Sequence, residues 1–249
     1  MLAIYWVSDK IMADISLIIT VETVKIKDKS VLLFDLDGTL VDSAPDLALA
    51  LNRTLLDLAK PQYKEQVIRR WVGTGAKVLI EHALSASLKK GEKLNSSLVN
   101  DALAIFLKHY KNCLSDHSTL YQDVKKSLVI LKSLGYRLAI ITNKNTAFTQ
   151  PILQELGIVD LFELLISGDT LAQKKPHPAQ LHYALAQLNA SAEQCVMIGD
   201  SKNDILAAKA ANIDCVGLTY GYNYGEDISK YQPNWCFDTF AELLAALKR

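Results

Sequence analysis

The chain has 249 residues, half of them apolar and 22% charged, enough to bury a sizeable core. Its 27 basic and 27 acidic residues cancel, which removes the broad cationic field that draws a protein to nucleic acid or anionic lipid. No apolar run approaches the ~18 residues needed to span a bilayer. The four cysteines, Cys113, Cys195, Cys215 and Cys236, lie too far apart for a paired metal site. Cys195 and Cys215 fall in apolar runs, the pattern of buried free thiols in a reducing, cytoplasmic compartment.

Residues 1–29 form an extension to which no function is assigned. Its apolar stretch, 15–21, is flanked by acids and lysines, and no small-residue cleavage site follows a basic start. The first clear element is the apolar run 31–34, too short for a buried helix, which ends in Asp35 and Asp37 followed by Gly38 and Thr39. It reads as a buried strand that delivers two carboxylates to its carboxyl end. Ser43, Pro45 and Asp46 then signal a helix start, with Leu47, Leu51, Leu55 and Leu58 along one face. Helical patterns follow at 64–70, 76–88 and 98–110, separated by glycine turns at 73–75 and 89–91, and no strand is expected from 45 to about 120.

Beyond residue 121 the character changes. A short helix from Val124, capped by Gly135, leads to a strand at 138–141 that ends in Thr142 and Asn143. Further strands are expected at 164–167, 195–198, 214–218 and 235–237, with helices near 180–188 and 203–211 and a last one at the end of the chain. Strands alternating with helices at this spacing specify an α/β fold, a Rossmann-like parallel sheet covered on both faces. The helical block is inserted after the first core strand, so the expected division is a core of residues 30–44 and 121–249 with a small all-helical domain at 45–120.

In a parallel sheet the carboxyl ends of the strands share one edge. Asp35, Asp37, Thr39, Thr142, Asn143, Asp200 and Asp204 therefore gather there, and Lys175 lies at a loop-to-helix junction between two of them. Four carboxylates at close range call for a compensating cation, and all-oxygen ligation suits Mg²⁺ beside a substrate phosphate. Thr142 and Lys175 are placed to hold phosphoryl oxygens, one aspartate to attack phosphorus and the other to move the proton. Each residue alone has an ordinary structural reading as a cap, a turn or a surface charge. His177 is expected to be a bystander.

These motifs, in this order, resemble the haloacid dehalogenase superfamily of phosphohydrolases, over residues 30–249. The resemblance implies Asp35 as nucleophile and Asp37 as general acid and base. It also implies Mg²⁺ held by Asp35, the backbone carbonyl of Asp37 and Asp200, with Asp204 supporting. Asp37 argues against the dehalogenases themselves, which need no acid for the leaving group, and the inserted helices sit where the superfamily carries a mobile cap.

Within the superfamily, the stretches 35–46, 142–144, 173–178 and 221–225 are most similar to the phosphoglycolate phosphatases. The loop 71–76 resembles theirs in the cap, with Thr74 where Asn is more usual. That likeness implies a small phosphorylated metabolite as substrate, with no nucleic-acid or membrane partner; monomer and dimer are both compatible with it. Thr39, Asn143, Thr74 and Gly75 are the expected substrate contacts. Gly73 to Gly75 would offer backbone N–H groups to an anion at a helix start, and Lys77, Arg69, Arg70 and Lys144 are candidate cations for a carboxylate. Other readings of the same residues are a sugar-phosphate phosphatase, a phosphoglucomutase-like enzyme, and a phosphate-accepting signalling or regulatory protein.

Overall fold

The structure is a computed structural model that describes residues 24–89 and 91–248. The apolar stretch at 15–21 lies outside these residues. So does Lys90 in the turn expected at 89–91.

Strand β1 (Val31–Phe34) is buried along its whole length and occupies the interior of a six-stranded sheet. Its partners are β4 (Arg137–Ile141), β5 (Leu164–Ile166), β6 (Cys195–Gly199), β7 (Asp214–Leu218) and β8 (Trp235–Phe237), in the order β5-β4-β1-β6-β7-β8. Every pairing is parallel. Successive side chains of a strand point to opposite faces, so Leu32 and Phe34 join one apolar cluster while Val31 and Leu33 join another. Burial on both faces explains why these strands read as continuous apolar runs instead of alternating ones.

Register places the site. Phe34 pairs with Ile140 on one side and Ile198 on the other, so Asp35, Thr142 and Asp200 emerge within a residue or two of the same edge.

The inserted block has its own apolar cluster, built from α1 (Ala44–Asp57), α2 (Glu65–Arg69), α3 (Ala76–Ala86) and α4 (Ser96–Lys111). Leu47, Leu51 and Leu55 face α4 through Phe106 and Tyr110. The two connections to the sheet are not plain coil. β2 (Val41–Asp42) and β3 (Thr119–Leu120) form a short antiparallel ladder, with Val41 opposite Leu120. β3 falls at the end of the stretch expected to lack strands; at two residues it is too short to show any periodicity. Helices α5 (Val124–Ser133), α6 (Thr146–Glu155), α7 (Ala179–Leu188), α8 (Lys202–Ala210) and α9 (Phe240–Leu247) complete the layers around the sheet.

Candidate active site

Asp35 continues β1 by donating its N–H to the Ile198 carbonyl. The chain then reverses in a tight turn, where the Leu36 carbonyl accepts from the N–H groups of Thr39, Leu40 and Val41. Gly38 sits in the turn at φ +91°, and a Cβ there would lie 2.3 Å from Asp200 Oδ2. Only glycine meets both conditions. On the opposite side, a Cβ at Gly221 would lie 2.2 Å from the Asp200 Cβ. Two glycines thus clear a cradle around one carboxylate.

Asp200 is oriented by the Thr39 hydroxyl, which donates to Oδ1 at 2.7 Å, and by the Tyr222 N–H, which donates to Oδ2 at 2.8 Å. Asp204 opens α8. Its Oδ2 accepts from the N–H and the hydroxyl of Ser201 in a capping box, and its Oδ1 accepts from Lys175 Nζ at 2.6 Å. Lys175 Nζ also donates to the Ile141 carbonyl at 2.6 Å and lies 2.9 Å from Asp35 Oδ1. The contact with Asp35 is an ion pair and not an aligned hydrogen bond, so Asp35 Oδ1 is buried with no hydrogen-bond donor.

Asp35, Asp200 and Asp204 bring oxygens within 4.8 Å of one another. Among the described residues, Lys175 is the one cation paired with this group. Burial raises the Asp35 carboxyl to about 7; Lys175 opposes the rise and the charge of Asp204 adds to it. Burial, reinforced by Asp204 and Asp35, also lifts Asp200 well above the usual carboxylate range. A divalent cation among the three would remove this repulsion. Asp35 Oδ1, which meets only the Lys175 ammonium, and the glycine cradle around Asp200 fit such an ion.

Asp37 lies apart from that group. Its Oδ1 accepts from the Ser43 hydroxyl at 2.6 Å and from Lys144 Nζ at 3.0 Å. Ser43 does stand at the N-terminus of α1, but its side chain makes no cap bond; it orients Asp37 instead. Lys144 is buried beneath the ring of Tyr110, whose hydroxyl oxygen lies 2.5 Å from Nζ. Burial disfavours the ammonium, but Asp37 and Tyr110 outweigh it and hold the lysine charged.

Asp35, Asp37, Thr142, Asn143 and Lys144 line one cleft with Gly73 and Gly75 from the inserted block, under a roof of Leu47, Val72, Leu79, Phe106 and Phe148. The space open to the centres of water-sized groups is about 40 Å³, where a single water needs ~10–15 Å³. The cleft has room for a small ligand. Thr142 Oγ1 accepts from the Lys144 N–H, leaving its O–H to donate into the cleft.

Two of the four expected substrate contacts, Thr39 and Asn143, have other duties. The Thr39 side chain is fully enclosed and turned to Asp200. The Asn143 amide brackets Lys175 through its N–H and carbonyl and donates to the Gly73 carbonyl, so it joins the loops beneath the cleft although it lines the cavity. The Thr74 hydroxyl is shut off from solvent near Tyr224, with no hydrogen-bond partner among the described residues. Gly75 does face the cleft, at the start of α3.

Among the candidate cations, Arg69 makes a two-pronged pair with Asp42 and also meets Glu65. Arg70 and Lys77 are exposed, Lys77 in a separate cleft with Glu81. His177 accepts from the Ala179 N–H on an exposed loop, away from the cleft.

Three side chains to which spacing assigned no role complete the site. Tyr222 links Asp42 and the Ala44 N–H through its hydroxyl while its own N–H holds Asp200. Asn203 donates to the Gly73 carbonyl and to the Tyr224 hydroxyl. Tyr110 sits on the apolar face of α4, where helical periodicity makes it a core residue like any other. The stretch 221–225 was distinctive in sequence without a role; it is the loop that holds Asp200 and meets the inserted block.

The sequence matches the haloacid dehalogenase-like hydrolase family over residues 32–218. It is 69% identical over 225 residues to a phosphoglycolate phosphatase of Colwellia psychrerythraea, covering 90% of this chain and all of the relative. A phosphoglycolate phosphatase of Haemophilus influenzae is 46% identical, with 86% of this chain and 96% of the relative covered. The crystal structure of a predicted phosphoglycolate phosphatase from Haemophilus somnus superposes with a TM-score of 0.83 at 41% identity, covering 88% of this chain and 98% of that one. The family match takes in β1 through β7 and the whole inserted block, with every strand end that carries a site residue. The chain belongs to the haloacid dehalogenase-like hydrolases.

Proposed function

We propose that the protein hydrolyses 2-phosphoglycolate to glycolate and inorganic phosphate through an aspartyl-phosphate intermediate. The observation that carries this reading is the division of labour between two carboxylates on one turn. Asp35 is enclosed and paired only with the Lys175 ammonium, whereas Asp37 is held by Ser43 and Lys144 at the cleft. Asp35 attacks phosphorus, forming a P–O bond as the ester P–O bond breaks. Asp37 gives its proton to the departing glycolate oxygen. It then takes a proton from the water that attacks the acyl phosphate, which frees Asp35 and releases phosphate. Thr142 holds a phosphoryl oxygen through the transfer, while Lys175, already bound to Asp204 and the Ile141 carbonyl, balances the charge of Asp35.

Asp35, Asp200 and the backbone carbonyl of Asp37 would hold Mg²⁺, with Asp204 keeping Lys175 and the start of α8 in place behind them. When bound, the ion neutralises phosphoryl oxygens during in-line displacement. The helices between residues 45 and 120 serve as a cap that excludes water and admits only small esters. The names of the relatives support the substrate, as does the small apolar-roofed cleft. The balanced charge and the buried free thiols at Cys113, Cys195 and Cys215 support a cytoplasmic enzyme working on a free metabolite. Among the described residues no helix is long and apolar enough to cross a membrane.

The test is a comparison of kcat/KM over a panel of small phosphate esters, with Mg²⁺ and with a chelator. Activity should depend on the ion and be highest for 2-phosphoglycolate. Preference for a sugar phosphate would reject the substrate and leave the chemistry standing.

A further inference from the structure

An ammonium has three N–H donors. At Lys144 one is directed at the Asp37 carboxylate, 3.0 and 3.4 Å from its two oxygens, and one at the Tyr110 hydroxyl oxygen. A third is unassigned. The Tyr110 oxygen accepts from Lys144, and its own O–H has no acceptor among the described residues. Both side chains are almost fully buried, and both line the cleft that holds Asp35, Asp37 and Thr142. Buried donors are normally satisfied, and nearby the cleft offers Leu47, Phe106 and Phe148, which accept nothing.

Reaction geometry limits where the substrate's second anion can lie. In a glycolyl ester the carboxylate is one carbon from the leaving oxygen, which puts its oxygens roughly 3 Å away by standard bond lengths. Asp37 must come within ~2.6–3.2 Å of that leaving oxygen to protonate it. The carboxylate therefore lands beside Asp37, where the Lys144 ammonium already sits 3.0 Å from Oδ1. Arg69 is committed to Asp42 and Glu65, and Lys175 to Asp35, Asp204 and the Ile141 carbonyl.

We propose that the free N–H of Lys144 and the O–H of Tyr110 form a two-point anchor for the substrate carboxylate, and that this anchor selects phosphoglycolate among small phosphate esters. The proposal deepens the function proposed above and rests on it. Tyr110 comes from α4 of the inserted block and Lys144 from the loop after β4. The anchor is complete only while the two parts are closed on each other, so selection and closure occur together.

The experiment compares kcat/KM for 2-phosphoglycolate and for ethyl phosphate, the same ester with a methyl group in place of the carboxylate. It is run on the wild type, Tyr110→Phe and Lys144→Met. Each variant should lower the preference for phosphoglycolate by about tenfold or more, as loss of a hydrogen bond to a charged group does. Lys144→Met also slows ethyl phosphate, because Asp37 loses its partner, but the ratio still falls. Tyr110→Phe keeps the Lys144–Asp37 pair and the ring contacts with Phe106 and Phe148, so it decides the matter if Lys144→Met does not fold.

Equal losses on both esters, or an unchanged ratio, would overturn the anchor. A wild type with no preference for the carboxylate ester would instead reject the substrate reading itself, and that result is visible before any variant is made. Calorimetric titration of 2-phosphoglycolate into Asp35→Asn, with and without Tyr110→Phe, gives a readout free of turnover. Affinity should weaken about tenfold with the second substitution, and equal affinity would also overturn the proposal.

Discussion

Asp35 is asked to be charged in a place that disfavours charge. Its carboxyl is raised to about 7, mainly by burial, against 3.8 in an unfolded chain. Between those two values the folded protein keeps a proton that the unfolded chain has released, so folding stability must fall as pH rises from about 4 to about 7. In a chelator, urea unfolding at pH 4.5 and 7.5 should show that decline, and Asp35→Asn should make it shallower. Addition of Mg²⁺ at pH 7.5 should restore stability in the wild type more than in the variant, since a ligand stabilises only the state that binds it. Turnover separates the two aspartates. Asp35→Asn should lower kcat by more than ~10⁴-fold, the scale of a lost nucleophile. Asp37→Asn should lower it by ~10²–10⁴-fold, the scale of lost acid–base catalysis. A pre-steady-state burst of glycolate in Asp37→Asn would show that hydrolysis of the aspartyl phosphate had become the slow step.

At the scale of elements, the junction between sheet and inserted helices depends on polar residues whose spacing suggests something plainer. Asp46 reads as a first-turn acid of α1, yet it is fully buried. Its carboxylate accepts from the N–H groups of His117 and Ser118 and from the Ser118 hydroxyl. It therefore pins the returning connection to the outgoing one, beside the β2–β3 ladder. Asp46→Ala would leave the buried N–H and hydroxyl of Ser118 and the part-buried His117 N–H without their acceptor, and denaturant titration should show a loss of about 2–4 kcal/mol. Asp46→Asn keeps the size and one acceptor and should lose less. These residues also mark where sequence reasoning ended. The strands, the strand-end acids and the helical insertion were legible because each is written in a local run or spacing. The partners of Asp46, Ser43, Tyr110 and Tyr222 were not. Those contacts join residues whose numbers differ by 6 to 180, and no periodicity encodes which buried polar atom meets which.

Across the whole molecule, one carbonyl of the inserted block is shared by the catalytic loops of the core. The Gly73 carbonyl accepts from Asn143, which also brackets Lys175, and from Asn203, which also meets the Tyr224 hydroxyl. Three strand-end loops thus converge on one turn of the inserted block. Gly73 holds that turn at φ +119°, and a Cβ there would lie 2.9 Å from the Tyr224 hydroxyl. Gly73→Ala brings backbone strain of ~1–3 kcal/mol together with a clash at the seam, while the apolar clusters on either side keep their side chains. Each part should stay folded and the contact between them should loosen. Hydrogen–deuterium exchange should rise in residues 72–76 and 222–225 and stay at the wild-type rate in β1, β4 and β6. KM for 2-phosphoglycolate should increase, because Tyr110 would no longer be held against Lys144. Ethyl phosphate, which has nothing for that anchor to grip, should lose less. Exchange that rose equally in the sheet would show instead that the seam stabilises the whole fold and is not a closure between two parts.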